Sequence, residues 1–358
     1  MYNTYSSPVG SLSPTSALDF SIPSIPIVRI HKQNKRSKWI WILSIAVVLL
    51  LIVCSAMTFT IASCVGIVPE ESVHSFTTKH RDYFDINLSL NRADVRFSMY
   101  SGTTLDVIIY HSGQNATISF DLDHSTLSIS QPKLSSIFSF LRVCDSLTVQ
   151  FLLPPKFSLN NLNISSEMGI IDLSGLSSIK MNSVSVSTSR GSIRSDSLRA
   201  NSISFFQNTG SSHLGDIETG SLSSVSSSGD VMFGRTVAVN VSLVSTSGNQ
   251  ELTSLFAISS SFRTSRGTIT IPRLNNGDVY FRSGSGRIFL GVGKEWNGPF
   301  DIHTTAGSVN FPENRLVFHQ QSTYTARGVI FPSPEFEESP AWEIFARSSL
   351  GNCIVSVF

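Results

Sequence analysis

A glycine recurs from Gly169 to Gly351 at a nearly fixed interval, and the residues flanking each copy repeat in kind. The positions are Gly169, Gly191, Gly210, Gly229, Gly248, Gly267, Gly286, Gly307, Gly328 and Gly351. Five of the nine successive spacings are 19 residues, and the others are 21 to 23. A period of about 20 residues without helical patterning marks stacked repeats, because one such unit buries its apolar face only against its neighbours.

Offsets from the glycine sort residues into faces. Seven before it stand Leu162, Val184, Ile203, Leu222, Val241, Val279, Phe300 and Ile344, with Ser260 and Gln321 as exceptions. Five before it stand Ile164, Val186, Phe205, Leu243, Phe262, Phe281 and Ile302, and apolar residues return two and four after it, as in Ile269 and Ile271. Alternation at period two on both sides of a corner predicts short strands with one buried face. A further apolar position seven after the glycine (Leu176, Leu198, Ile217, Leu255, Leu274) predicts a third side. The glycine is expected to supply a positive φ at the corner.

Three before the glycine the chain carries Ser166, Thr188, Ser226, Ser245, Thr264, Ser283, Thr304, Thr325 and Ser348, broken by Gln207. This column shares parity with the apolar ones and so points inward. Its hydroxyls are expected to bond to one another and to corner backbone groups that lack a ladder partner. The fold class is therefore all-β, a single-stranded parallel β-solenoid of about ten rungs of about 19 residues, making a rod of about 43 Å at β-strand spacing. The repetitive part covers 161–358, and 75–160 reads as an N-terminal β cap with irregular rungs, since an uncovered edge recruits other chains. Pro332 to Trp342 reads as an insertion before the last rung.

Ahead of the repeats lies a second constraint. Residues Ile40 to Ala62 are almost wholly apolar, with Trp39 and Trp41 at one end, long enough for a transmembrane helix within 39–68. Arg29, Lys32, Lys35, Arg36 and Lys38 precede it and Glu70 and Glu71 follow it, which predicts a single-pass type II signal-anchor. The N-terminus would be cytosolic and the C-terminal domain extracellular or lumenal. The segment 1–38, rich in Ser and Pro and ending in the basic run, reads as a disordered cytosolic tail. Four sequons, at Asn87, Asn115, Asn163 and Asn240, all lie after the apolar segment, as glycosylation of a lumenal side requires. No disulfide is expected. Cys54 and Cys64 belong to the apolar segment, Cys353 falls at an inward position, and Cys144 is unpaired.

The remaining composition narrows function by exclusion. A net charge of +1 gives no nucleic-acid footprint. No histidine pair has metal-ligand spacing with cysteines or carboxylates, so neither metal nor cofactor is expected. A β-helical polysaccharide lyase or hydrolase needs carboxylates clustered on one face. Asp172, Asp196, Asp216 and Asp230 stand at four different offsets, so no catalytic set is expected.

The outward columns hold the binding candidates. Six before the glycine are Asn163, Ser185, Ser204, Ser223, Ser242, Ser261, Tyr280, Asp301 and Ser322. Four before it are Ser165, Ser187, Phe206, Val225, Val244, Arg263, Arg282, His303 and Tyr324. The stripe Phe206, Val225, Val244, Arg263, Arg282, His303, Tyr324 is the candidate face for a glycan or protein ligand. The competing reading is that β-branched and aromatic residues simply favour strands.

The run Leu147-Thr-Val-Gln-Phe-Leu-Leu-Pro-Pro155, followed by Leu159-Asn-Asn-Leu-Asn-Ile-Ser-Ser166 and Gly169-Ile-Ile-Asp-Leu173, resembles the putative-adhesin β-solenoid domains of bacteria and fungi. Thr264-Ser-Arg-Gly-Thr-Ile269 and Ser226-Ser-Ser-Gly-Asp-Val231 fit the same Ser/Thr-x-x-Gly-x-Ile/Val unit. The resemblance covers about 85–358 and implies a right-angled or triangular solenoid with an adhesive role. It brings no catalytic or binding residues. The expected function is a membrane-anchored, adhesin-like solenoid for surface binding, in contact with lipid through its anchor. The alternatives are an architectural protein that self-associates through its edge rungs and, third, a carbohydrate-active enzyme.

Overall fold

In the computed structural model the chain falls into two units, Met1–Met57 and Thr58–Phe358. The structure describes residues 41–52, 54–55, 70–76, 84–112, 117–121, 125–131, 146–311, 316–331 and 341–357. In the first unit, 41–52 and 54–55 are helical. No helix among the described residues is long and apolar enough to cross a membrane. That finding overturns the expected transmembrane helix, and with it the single-pass topology and the localisation built on it. The reason is length: a span takes about 20 helical residues at about 1.5 Å each, and apolar composition does not by itself make a helix that long. The rest of that expectation lies outside the described residues, as do the tail, Cys64, Cys144, Asn115 and most of the 332–342 insertion.

The second unit is built from strands. The N-terminal group is β1 (Glu70–Phe76), β2 (Phe84–Met99), β3 (Leu105–Ser112), β4 (Thr117–Asp121), β5 (Thr126–Ser130) and β6 (Ser146–Leu153). The repetitive group is β7 (Leu159–Asp172), β8 (Lys180–Thr209), β9 (Ser212–Ser228), β10 (Val231–Ser245), β11 (Gln250–Thr264) and β12 (Ile269–Ser283). The C-terminal group is β13 (Ile288–Val292), β14 (Gly298–Thr304), β15 (Val309–Asn310), β16 (Leu316–Gln321), β17 (Thr325–Ile330), β18 (Ile344–Ser348) and β19 (Cys353–Val357).

From β7 to β12 the strands stack in parallel at the register the glycine period demands, with Val231 beside Gln250 and Gln250 beside Ile269. Every apolar residue of the inward columns from Leu162 to Phe281 is buried. Burying each large one contributes about 1.5–3 kcal/mol. Successive rungs also stack rings, as Phe262 on Phe281 with centroids 5.2 Å apart. The third side exists as expected, with Leu176, Leu198, Ile217, Leu255 and Leu274 all buried. Beyond Leu274 the register runs on to Val292 and Val357, and the fully buried Trp296 donates its indole N–H to the Gly277 carbonyl at 3.4 Å.

The glycines are needed mainly for a reason other than the one expected. Among the repeat glycines only Gly169, Gly210 and Gly229 have positive φ. At Gly191, Gly248, Gly267 and Gly286 the constraint is proximity, because a Cβ would run into the carbonyl oxygen of the glycine one rung below. The inward hydroxyls likewise bond chiefly to corner backbone and not to one another. Ser245 Oγ donates to the Gly248 carbonyl at 2.8 Å and Ser283 Oγ to that of Gly286 at 3.0 Å, while Thr304 Oγ1 accepts from Gly307 N at 3.0 Å.

Both ends depart from a single-stranded parallel solenoid. At the N-terminal end β2 forms the rung beneath β7, with Ala93 facing the Gly169 corner. Beyond it β5 and β6 lie parallel to β2, then β4 and β3 lie antiparallel to those, and β1 pairs antiparallel with β3. At the C-terminal end the rungs leave sequence order. Strand β18 pairs with β12 on one side and β14 on the other, and β19 pairs with both β13 and β15. The last rung in sequence therefore lies between the Gly286 and Gly307 rungs. The Gly328 segment is no rung at all: β17 runs antiparallel to β14, and β16 antiparallel to β17.

Candidate binding face

The carboxylates settle into a structural pattern that offsets alone concealed. At one corner Asp94 accepts from Ile170 N at 2.8 Å, Asp230 from Asn249 N at 2.9 Å and Asn249 from Thr268 N at 2.9 Å. At a second corner Asp216 accepts from Arg235 N at 3.2 Å. At the third Asp85 accepts from Asn161 N at 3.1 Å, and Asp278 from Glu343 N at 2.8 Å. In each case an Asp or Asn side chain receives the N–H of the next rung, which the corner geometry leaves without a ladder partner. Asp172 instead caps Ser174 N at 3.0 Å. Among the described residues no group of three or more His, Cys, Asp or Glu is arranged to hold a metal ion.

The outward face of the strand before the glycine carries the predicted stripe, with two changes. Phe206 is the register neighbour of Val225, Val225 of Val244, Val244 of Arg263, and Arg263 of Arg282. The next neighbour is Arg347, and His303 follows it. Threading the last rung inward thus inserts a third arginine. Tyr324 is not in this row, since its segment leads into antiparallel β17. There its backbone carbonyl accepts from Thr304 N at 2.8 Å, and its side chain is exposed.

The parallel row two residues earlier runs Ser204, Ser223, Ser242, Ser261, Tyr280, Phe345 and Asp301. Tyr280 and Phe345 stack at 5.1 Å with 7° between their planes. Arg263 lies over the Tyr280 ring at 5.6 Å and Arg347 over the Phe345 ring at 4.5 Å. Asp301 holds Arg347 at 3.2 Å and, across the antiparallel pair, Arg327 at 3.2 Å. His303 Nδ1 stands 3.0 Å from Thr325 Oγ1. Arg282 is exposed and has neither an ion pair nor a side-chain hydrogen bond among the described residues. Beside the aromatic pair a hollow of about 330 Å³ is lined by Ser259, Asp278, Tyr280, Glu343 and Phe345.

Phe345 and Arg347 were missing from the sequence stripe, although the offsets that place Ile344 and Ser348 inward at the Gly351 rung put both residues outward. What the offsets could not give was their neighbours. Of the sequons, Asn163 and Asn240 are exposed, whereas Asn87 is half-buried and is the register neighbour of Asn163. Two glycans at about 4.8 Å separation would crowd each other.

The fold and its decorated face define a repeat protein of the β-solenoid class. Residues 83–331 match the family model described as Toastrack DUF4097, and the chain belongs to that family. The likeness to putative-adhesin domains is thereby borne out at the level of family. No curated protein matches the chain. Similar solved structures include a chain described as a putative cell adhesion protein from Clostridium sporogenes, at 13% identity, covering 81% of this chain and 100% of that one, with a TM-score of 0.23. Another, described as a putative adhesin from Bacteroides fragilis, has 15% identity, 80% and 97% coverage and a TM-score of 0.34. A third, described as a putative lipid binding protein from Parabacteroides distasonis, has 11% identity, 82% and 98% coverage and a TM-score of 0.31.

Proposed function

We propose that this chain is an adhesin-like surface-binding protein whose ligand lies along the outward rows from Phe206 to His303. The observation that carries this reading is the change in character of one register-locked column. It runs through Phe206, Val225 and Val244, then through Arg263, Arg282 and Arg347, beside a row of serines that gives way to the Tyr280–Phe345 stack. A sheet whose only task is to be soluble has no use for half-exposed Phe206 in line with an exposed Arg282 that has no ion pair among the described residues. Parallel strands hold these groups on a flat, rigid surface, so little entropy is lost on contact with an extended partner.

The test is an array of glycans and extracellular-matrix proteins probed with the full chain and with Phe206→Ser and Arg282→Gln variants. The reading expects a ligand whose binding weakens in at least one variant while the melting temperature stays unchanged. Binding that is indifferent to both substitutions would place the ligand on another surface.

A further inference from the structure

The arginine row also specifies the chemistry of what it binds. We propose that Arg263, Arg282 and Arg347 form a binding site for an acidic polysaccharide, taking carboxylate or sulfate groups borne on successive sugars; this rests on the surface-binding reading above. Three guanidinium groups in register on neighbouring parallel strands repeat at about 4.8 Å, a rise comparable with one sugar of an extended chain. A linear polyanion lying along the solenoid axis can therefore meet them one after another, and linked contacts of this kind reinforce each other.

The aromatic pair sets the character of the site. The faces of Tyr280 and Phe345 are taken up by each other and by Arg263 and Arg347. No ring face is left for a nucleobase, which is what single-stranded nucleic acid uses on such platforms. The rings instead hold two of the three guanidinium groups in place: Arg263 keeps its N–H edge free to fork onto an oxyanion, while Arg347 shares its own with Asp301 at 3.2 Å. Arg282, between them in the row, has no ion pair of its own among the described residues. At the far end the single Asp301 carboxylate pairs with both Arg347 and Arg327 and offsets part of their charge, so the array has a defined end. In the other direction the serine row beside Phe206, Val225 and Val244 offers hydroxyls to the neutral part of a sugar chain. A lipid bilayer fits less well, because Val225 and Val244 are each only 37% exposed on a flat strand and cannot insert.

The experiment uses the full chain and measures binding to polygalacturonate, dextran sulfate and uncharged dextran at two salt concentrations. Vesicles of phosphatidylcholine with phosphatidylserine and a single-stranded oligonucleotide serve as parallel arms. The proposal expects binding to one or both acidic polymers and none to dextran, weakened by salt. It expects Arg282→Gln to lower affinity about tenfold and Arg263→Gln/Arg282→Gln further, while Arg199→Gln on the third side has no effect. It also expects Asp301→Asn to raise affinity by releasing Arg347, a gain that a purely structural role would not produce. Equal binding to dextran, retention in the double variant, or a preference for vesicles or oligonucleotide would each overturn it. If neutral glycans or proteins bind and the loss tracks Phe206→Ser instead, the acidic assignment falls and the surface-binding reading stands. If the intact chain binds no partner on either array, that reading falls as well.

Discussion

Arg282 on β12 and Arg347 on β18 are register neighbours, although the rung that follows Arg282 in sequence contributes His303 instead. The chain passes one rung position, builds β14, turns back through the β16–β17 hairpin and then fills the vacant position with its last strands. The C-terminal residues are consequently internal to the stack, with a partner on each side.

Removing residues 343–358 should therefore do more than shorten the solenoid. It would strip β12 and β14 of a shared partner and open two parallel edges, which recruit other chains. The expected outcome is aggregation or faster proteolysis between residues 286 and 331, read by size-exclusion chromatography and limited trypsin digestion. A truncated protein as monomeric and protease-resistant as the full chain would argue that the last rung is terminal.

The glycine column should tolerate no side chain. A Cβ at Gly248 would collide with the Gly229 carbonyl, whereas at Gly293 the nearest atom is 3.1 Å away. Gly248→Ala is expected to cost about 1–3 kcal/mol through forced backbone shifts. Gly293→Ala should cost clearly less. Urea unfolding of the two variants compares them directly.

Corner side chains should matter individually. Asn249 both accepts from Thr268 N at 2.9 Å and donates its own N–H to Asp230 at 2.9 Å. Asn249→Ala orphans the Thr268 amide and should cost about 1 kcal/mol. Asn249→Asp, which keeps the acceptor, should restore most of it. Hydrogen exchange at Thr268 would rise in the first variant and stay slow in the second.

Burial raises the Cys353 thiol from its ordinary 9.0 to about 12. In the folded protein the neutral form persists after the unfolded chain has lost its proton. Between those two values the unfolded state binds fewer protons, so stability declines as pH rises, by about 1.4 kcal/mol per unit. Below pH 9 the contribution is fully present. The wild type should thus lose stability faster than Cys353→Ala between pH 9 and 11, measured by denaturant midpoints. Parallel pH curves would remove the thiol as the cause.

Much of the fold was legible in the residues themselves. The glycine period fixed the rung length, parity fixed which side chains face inward, and the inward hydroxyl column was placed correctly from Ser166 to Ser348 except at Thr325, which lies half-buried on antiparallel β17 against His303. Those features are local: each depends only on a strand alternating its side chains and on a corner too tight for a Cβ. The face was legible in part, because Phe206, Val225, Val244, Arg263 and Arg282 are consecutive both in period and in space. Long apolar composition at 40–62, by contrast, promised a membrane-spanning helix that the described residues do not form.

What the sequence by itself determined, then, is the repeating unit and the chemistry of each column. Only the tertiary structure decided the order in which the units stack. A period says that two rungs are interchangeable in register, and for that reason it cannot say which of them becomes the neighbour of a third. Strand pairing between β12, β18 and β14 resolved that degeneracy, and in the vacant position Ile344, Ala346, Ser348, Cys353 and Val355 are buried. The same choice removed Tyr324 from the row, brought Phe345 against Tyr280, and turned two arginines into three.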